Sequence, residues 1–313
     1  MKEVYIPSAD QKHKLHVVIW ETKEFPKAII QLSHGMIEYV KRYQEFAENL
    51  NDAGILVLGN DHLGHGKTAE NENDFGYFCH KKLSCVVVED LHRVTEYAKK
   101  HYKNVPIFLF GHSMGSFMAR RYLMTYGKEL AGAVISGTGN YTTWELNAGK
   151  VCAAVIGWKK GERYRSPFMK KLLFARNNKK IKNPNTENDW LTRETEIVER
   201  YNKDPYCTFA FTINGYGTLF DAITFIQKKQ NVDKIPKDLP ILMIAGLEDP
   251  VGLYGKSVKK VYSDYKKTGI QDIQLKLYEG CRHELTNEKN RQEVYQDIRS
   301  WIEKRLTKKE ERK

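Results

Sequence analysis

The stretch that decides the fold is VPIFLFGHSMG, which occupies residues 105–115. Its first six residues form an apolar run with β-branched and aromatic side chains, which is typical of a strand buried on both faces. The Gly-x-Ser-x-Gly motif that follows places Ser113 on a turn after this strand, and its two glycines relieve the crowding of a sharp strand-to-helix turn. The sequence therefore predicts a strand, a tight turn at Ser113 and a helix from Ser116 to Tyr126. A tight turn with a merely solvated serine is the alternative interpretation.

Apolar runs and amphipathic helices alternate on both sides of this stretch. Helical spacing predicts helices over 38–52 and 82–101 and a closing helix around 294–302. Apolar runs predict strands over 14–20, 28–32, 55–58, 131–136, 240–246 and 273–278, with 14–20 as an edge strand in a hairpin with 2–6. Because strands that alternate with helices are joined by right-handed crossovers, we expect a mostly parallel sheet flanked by helices. The charged tail over 307–313 is expected to fray.

The alternation stops at Asn140. For about 90 residues no clean strand can be recognised, and aromatic-rich helical segments take its place. An insertion at the carboxyl edge of a parallel sheet lies over the place where active sites form. We therefore expect a core made of residues 1–139 and 231–313, and a helical cap, or lid, made of residues 140–230.

The basic residues of the chain are concentrated in this predicted cap. The formal net charge is +12, and the segment from Lys150 to Lys182 holds eleven basic residues against one acid, Glu162. Trp158 and Phe168 are interleaved with them, so the segment is amphipathic as well as basic. We expect a surface for peripheral contact with an anionic membrane, the alternative being a solvated basic face with an apolar underside. No nucleic-acid-binding motif accompanies the charge, so no nucleic-acid partner is expected.

Two features bear on the location of the protein. The longest apolar stretch outside the predicted strands, Val151 to Trp158, is far shorter than the roughly 20 residues that cross a bilayer. The first residues contain no uninterrupted apolar region of the kind that a secretory signal requires. We therefore expect a cytoplasmic protein that associates with membranes only from their surface.

Cysteines and histidines give no sign of a disulfide framework or a metal site. The five cysteines are odd in number, widely spread and without a Cys-x-x-Cys pair. His62 and His65 lie in one glycine-rich loop, but no third His, Cys or carboxylate stands at ligand spacing. We expect no metal centre, and we expect this loop to have a structural role near the site.

Three polar residues follow the ends of predicted strands in the order serine, acid, histidine. Ser113 follows the strand at 105–110, Asp249 follows the strand at 240–246, and His283 follows the strand at 273–278. His283 is the one histidine among ten that lies downstream of Ser113. A nucleophilic serine needs a base within reach of its hydroxyl and a buried acid that orients the base. We assign these roles to His283 and Asp249, with Glu248 as the competing acid.

A fourth strand end offers a backbone donor. The strand at 28–32 ends in Ser33-His34-Gly35-Met36. A backbone N–H presented beyond a strand end, beside a glycine, suits a developing oxyanion. Met36 is therefore a candidate donor through its main chain, and an ordinary strand-to-helix loop is the alternative.

With these residues identified, the chain resembles the monoacylglycerol lipase and lysophospholipase branch of the α/β-hydrolases, which is also grouped with serine aminopeptidases. The resemblance covers residues 10–136 and 238–304 and depends on HGMIE at 34–38, DHLGHG at 61–66, GHSMG at 111–115, EDPV at 248–251 and HEL at 283–285. It implies the α/β-hydrolase fold with a helical lid. It also implies that Met36 and Met114 donate their backbone N–H groups to the oxyanion. The cap carries no motif of this family, and Cys281-Arg282 departs from its pattern.

These residues together lead to a functional hypothesis. We expect a serine carboxylester hydrolase that acts on a monoacylglycerol, a lysophospholipid or a similar single-chain ester through an acyl-enzyme, without a cofactor. An aminopeptidase or amidase with the same three residues is the first alternative, and it would need an acidic group in the cap to hold the substrate amine. A ligand-binding protein on an inactive hydrolase scaffold is the second.

Overall fold

An eight-stranded sheet runs through the computed structural model, which describes residues 1–80 and 83–310, with side chains as far as residue 307. The strands are β1 (Lys2–Pro7), β2 (Lys14–Trp20), β3 (Ala28–Ser33), β4 (Ile55–Asn60), β5 (Ile107–His112), β6 (Gly132–Ser136), β7 (Ile241–Gly246) and β8 (Ile273–Tyr278). Their order in the sheet is β1-β2-β4-β3-β5-β6-β7-β8. β2 is antiparallel to β1 and β4, and the other neighbours are parallel. The predicted α/β class with a mostly parallel sheet is confirmed.

Ten helices accompany the strands in the described part of the chain. They are α1 (Gln44–Asp52), α2 (Leu83–His101), α3 (Met114–Tyr126), α4 (Thr143–Lys160), α5 (Pro167–Phe174), α6 (Thr195–Lys203), α7 (Ile213–Gln227), α8 (Lys229–Val232), α9 (Lys256–Lys267) and α10 (Arg291–Glu310). Lys82, the first residue of the predicted helix over 82–101, lies outside the described residues. α10 continues into the tail that was expected to fray, and residues 311–313 are also outside the described part.

The prediction that 14–20 is an edge strand is wrong. β2 pairs with β1 on one side and with β4 on the other, so β1 and β8 form the edges. The prediction rested on the alternation of polar and apolar residues over 14–20, which is typical of an edge strand. In the structure His16 is buried, with its ring nitrogens 2.7 Å from an Asp61 carboxylate oxygen and 2.6 Å from a Glu3 carboxylate oxygen. Two carboxylates satisfy the imidazole, and a polar residue therefore fits an internal strand.

Helices cover both faces of the sheet. Apolar residues of α1 and α10, such as Phe46 and Ile298, pack on one face, and residues of α2, α3 and α9 pack on the other. This second cluster also includes α7, which belongs to the insertion between β6 and β7. The described residues of that insertion form helices and turns but no strand. None of the described helices combines the length and the apolar composition that crossing a bilayer requires.

Candidate active site

Ser113 occupies the turn between β5 and α3. Its backbone has φ 52° and ψ −120°, a conformation that L residues rarely adopt and that is found at strained nucleophile turns. Gly115 allows the turn to approach β3, because a Cβ at this position would lie 2.0 Å from the carbonyl oxygen of Ser33. The Ser113 N–H donates to the carbonyl of Ser136 at 3.0 Å, while its hydroxyl does not cap α3. The half-buried Ser113 side chain is thus held at the carboxyl end of the sheet.

Asp249 and His283 meet at the same end of the sheet, on the loops after β7 and β8. Both are buried, and one Asp249 carboxylate oxygen lies 2.9 Å from Nδ1 of His283. This is a close ion-pair contact rather than a linear hydrogen bond, since Nδ1 has no partner of regular hydrogen-bond geometry among the described residues. The same carboxylate oxygen accepts the N–H of Val251 at 2.8 Å, which fixes the acid. The competing acid Glu248 is half-exposed and lies 3.9 Å from the guanidinium of Arg282.

The imidazole of His283 is enclosed by other rings. Its ring centroid lies 4.7 Å from that of His112 and 4.9 Å from that of Trp190. A Cβ on Gly137, the residue after the acceptor of the Ser113 N–H, would lie 3.1 Å from Cε1 of His283. Burial opposes the charged imidazolium, but Asp249 overrides it and raises the pKa of His283 above its usual value. Nε2 has no hydrogen-bond partner among the described residues and is therefore available to a reacting group.

The two candidate oxyanion donors lie beside Ser113. Gly35 approaches Ser113 so closely that a Cβ on it would lie 3.2 Å from Cβ of Ser113. Met36 follows Gly35, and Met114 is the first residue of α3, whose N–H has no acceptor within the helix. Neither N–H donates to another group in the described part of the chain. The arrangement leaves both donors free for an anionic oxygen.

A buried ion-pair network connects the loop of Met36 with the loop of His283, and sequence reasoning gave it no role. Arg42 donates to the carboxylate of Glu38 at 2.8 Å and bidentately to that of Glu284 at 2.7 Å. Glu38 in turn accepts the N–H of Gly35. Burial favours a protonated Glu284, but the Arg42 guanidinium overrides it and lowers the pKa of Glu284 to about 2. The network fixes the two loops relative to each other.

The histidines of the DHLGHG loop form a buried cluster under the site. The ring of His34 lies 4.2 Å from that of His62 and 5.2 Å from that of His65. Burial lowers the pKa of His62 to about 3 and that of His65 to about 4, so both are neutral. His34 accepts the N–H of His62 on one ring nitrogen. In the described part of the chain no group of His, Cys, Asp and Glu residues could hold a metal ion.

A cavity of about 910 Å³ brings these residues together. Ser113, His283, Met36 and Met114 all contribute to its lining. Much of the remaining wall comes from the insertion between β6 and β7 and includes Phe174, Trp190, Leu191, Phe209 and Leu219. Charged and amide side chains of the cap, such as Lys170, Arg176 and Asn178, line it too, so the cavity has both apolar and polar walls and is large enough for a small molecule.

A serine on a strained strand-to-helix turn at the carboxyl end of a mostly parallel sheet, together with a buried carboxylate–imidazole pair, is the arrangement typical of serine-dependent α/β-hydrolases. The model of the family described as serine aminopeptidase, S33, matches residues 24–290, and the chain belongs to this family. The resemblance to the monoacylglycerol lipase branch of the α/β-hydrolases is thereby confirmed, and the chain is an enzyme of the serine hydrolase type.

Similar proteins support this placement. The monoacylglycerol lipase of Mycolicibacterium smegmatis is 26% identical over 91% of this chain and 91% of its own length. The monoglyceride lipase of Homo sapiens is 27% identical over 91% of this chain and 86% of its own length. A thermostable carboxyl esterase from Bacillus coagulans, solved in complex with glycerol, is 30% identical, with a TM-score of 0.91 over 97% of this chain and 98% of that chain. The chain is thus a hydrolase of monoacylglycerol lipase and esterase type.

Proposed function

We propose that the protein is a serine carboxylester hydrolase that cleaves single-chain esters such as a monoacylglycerol or a lysophospholipid. The observation that carries this proposal is the ion-pair contact between Asp249 and His283 at the cavity that Ser113 lines. The names of the similar proteins support an ester as the substrate, and the glycerol in the esterase structure suits an acylglycerol.

The reaction starts at the hydroxyl of Ser113. Nε2 of His283 takes the hydroxyl proton as Oγ attacks the ester carbonyl, and Asp249 orients the imidazole and offsets the charge it acquires. The backbone N–H groups of Met36 and Met114 donate hydrogen bonds to the oxyanion, and each donor lowers the barrier by about 3 kcal/mol. His283 then returns the proton to the leaving alcohol, and an acyl-enzyme remains. Water, deprotonated by the same imidazole, releases the carboxylic acid, and no step needs a cofactor.

Residues 140–230 act as the cap of this site, and the charges at the cavity favour an ester over an amine-bearing peptide. Of the acids in the cap, Glu145 and Glu187 line the cavity. Glu145 accepts from the N–H and the hydroxyl of Thr142 at the start of α4, and Glu187 pairs with Lys170 at 2.7 Å. Lys170, Lys171, Arg176 and Lys179 of the cap line the cavity as well, so the cap presents more cations than carboxylates to the substrate amine that an aminopeptidase would need to bind.

The cap also provides the surface for contact with an anionic membrane. α4 turns an apolar stripe to solvent, in which Trp144, Val151 and Trp158 are 77%, 62% and 85% exposed. Phe168 and Leu172 of α5 are exposed as well. Unpaired lysines accompany this apolar face in the described residues, among them Lys159, Lys160 and Lys171. Apolar insertion combined with attraction to anionic lipid is the binding mode of interfacial helices.

Replacement of Ser113 tests the catalytic proposal. We expect Ser113→Ala to abolish hydrolysis of p-nitrophenyl butyrate and labelling by a fluorophosphonate probe, while Ser300→Ala, which removes an exposed hydroxyl on α10, keeps both. Turnover of acylglycerol, lysophospholipid and aminoacyl-anilide substrates with the parent then identifies the substrate class. Hydrolysis at the parent rate by Ser113→Ala contradicts the proposal, and faster anilide than ester turnover contradicts the substrate assignment.

Sedimentation with lipid vesicles tests the membrane surface. We expect the parent to bind vesicles that contain phosphatidylglycerol better than vesicles of phosphatidylcholine alone, and Trp158→Ala to weaken this binding without a change in p-nitrophenyl butyrate hydrolysis. Equal binding to both lipids, or unchanged binding of Trp158→Ala, contradicts the assignment of this surface.

A further inference from the structure

One segment of the cap lies directly against the loop that carries His283. We name residues 189–193 the strap and residues 281–288 the histidine loop. Two successive backbone N–H groups of the histidine loop donate to two successive carbonyls of the strap. These bonds run from Glu284 to Leu191 at 2.7 Å and from His283 to Trp190 at 3.4 Å. The backbone of the candidate base is therefore paired with the cap as well as with the core.

The side chain of Arg282 donates hydrogen bonds to the strap on both sides of this backbone pairing. Its Nη1 donates to the carbonyl of Asp189 at 2.7 Å and to that of Thr192 at 3.1 Å. These two carbonyls flank the pair that accepts from His283 and Glu284. The guanidinium therefore holds the strap in the one conformation that matches the histidine loop.

Glu288 connects the same two segments through its carboxylate. Its buried carboxylate accepts the backbone N–H of Arg282 at 2.8 Å and the backbone N–H of Arg193 at 3.3 Å. Nε of Arg193 adds an ion pair at 2.9 Å. The strap and the histidine loop are thus connected by backbone pairs, by the guanidinium of Arg282 and by the buried carboxylate of Glu288, and they behave as one unit.

The strap also determines where the imidazole can lie. The indole of Trp190 packs against the ring of His283 with 4.9 Å between the ring centroids, and the ring of His112 lies 4.7 Å from the same imidazole. Trp190 is nearly fully buried and lines the catalytic cavity. A shift of the strap would move Trp190 away and allow the imidazole to turn from Asp249 and Ser113. Misplacement of a catalytic group by about 1 Å can cost on the order of 100-fold in rate.

We propose that the strap belongs to the catalytic framework rather than to a movable cap, and that Arg282 is a positioning residue that holds His283 through it. This inference depends on the proposed role of His283 as the base. Arg282 touches neither Ser113 nor the carboxylate of Asp249, so it acts through the strap. Any opening of the cap is then confined to its other elements, such as α4 and α5.

Substitution of Arg282 tests the proposal on the full-length protein. We expect Arg282→Met to lower kcat on p-nitrophenyl butyrate by about 10- to 100-fold with KM within twofold of the parent, because the acyl site is unchanged while the base is misplaced. Arg282→Lys, which can still donate to one carbonyl, is expected to recover at least a third of the lost kcat on a logarithmic scale. The rate of fluorophosphonate labelling should fall in parallel with kcat.

Arg165→Met is the matched control. Arg165 is half-buried like Arg282 and also connects cap and core through backbone carbonyls, but from the opposite side: it lies in the cap and donates to the core carbonyls of Glu72, Asn73 and Phe75. We expect it to keep the parent kcat. A parent-like kcat for Arg282→Met, an equal loss for both arginines, or a loss confined to KM overturns the proposal. Should Arg282→Met not fold, Arg282→Gln is measured on the same criteria.

The inference and the proposed function fail in different ways. If Ser113→Ala is inactive and Arg282→Met is not impaired, the positioning role is overturned and the catalytic assignment stands. If Ser113→Ala retains the parent activity, the catalytic assignment itself is overturned, whatever the arginine variants show.

Discussion

The two halves of the insertion between β6 and β7 differ in what they bury. α7 turns its apolar residues inward, and Tyr216, Ala222 and Ile226 are fully buried against the core. α4 has few buried side chains and turns Trp144 and Trp158 to solvent. The strap at 189–193 belongs with the buried half, since it is bonded to the histidine loop. One half of the insertion is therefore packed into the framework of the enzyme, and the other half exposes apolar side chains to solvent.

This difference follows from the way the two halves are joined. α4 rests on α7 at Gly149, where a Cβ would lie 2.7 Å from Cζ of Phe220. α7 rests in turn on α3, and Arg121 of α3 pairs with Asp221 at 2.9 Å and covers the ring of Phe225. We name the strap and residues 211–227 the anchored half, and residues 143–174, with α4 and α5, the outward half. The outward half is thus supported by the anchored half.

The largest effect is expected at Asp249, the proposed catalytic acid, which lies in the core. Asp249→Asn should lower kcat by about 10,000-fold, because an amide favours the wrong imidazole tautomer and cannot offset the developing charge. Glu248→Gln, which changes the neighbouring half-exposed carboxylate, is the control and should keep the parent kcat. Steady-state hydrolysis of p-nitrophenyl butyrate measures both. The opposite outcome, with Glu248→Gln the inactive variant, would reassign the acid.

The next largest difference between the two halves should appear in the free energy of unfolding. Phe211 in the anchored half is fully buried against Phe78 and Tyr216, and Phe211→Ala should lower the free energy of unfolding by about 3–5 kcal/mol. Trp158→Ala in the outward half should change it by less than about 0.5 kcal/mol, because the side chain is already in water. Denaturation by urea measures both variants. Similar losses for the two would remove the distinction between the halves.

The sequence made the candidate site visible because each of its residues has a local signature. Ser113, Asp249 and His283 each follow the end of an apolar run, and parallel strands bring such ends to one edge of a sheet. The structure places all three there, as the pattern predicts, and the fold class was accessible for the same reason.

What the sequence did not reveal are contacts between distant segments. Arg282 and the carbonyl of Asp189 are 93 positions apart, and Arg42 and Glu284 are 242 positions apart. No periodicity or spacing relates such residues, and the partners of a buried charge are decided by tertiary packing. The edge-strand error has the same origin, since His16 is satisfied by Asp61 and Glu3 from other parts of the chain.

The pH dependence of catalysis should report on the pair of Asp249 and His283, which lies outside both halves, and it should be independent of the outward half. The proposed base works as neutral imidazole, and Asp249 raises the pKa of His283. With rising pH, kcat/KM should therefore follow a limb that rises about tenfold per pH unit. This limb should end at the pKa of His283, which lies above the ordinary histidine value of about 6.5. The same ion pair stabilises the fold below the unfolded pKa, and this stability is lost as pH rises through the folded pKa. Activity therefore peaks where the pair contributes least. Trp158→Ala should leave the limb in place, and a displaced limb in that variant would connect the outward half to the base.

The smallest effect belongs to single charges of the outward half. Lys171 is exposed and unpaired in the described structure, and Lys171→Gln should weaken partitioning onto phosphatidylglycerol vesicles by about fivefold, since each lysine near an anionic surface contributes about 1 kcal/mol. Lys103→Gln is the matched control, because this exposed lysine lies just before the amino end of β5, at the edge of the sheet away from the cap. The difference between the two variants should vanish at 1 M salt, where charges more than about 3 Å apart are screened. A difference that persists there would mean that the stem of Lys171, rather than its charge, contacts the lipid, and the outward half would then bind by its apolar stripe alone.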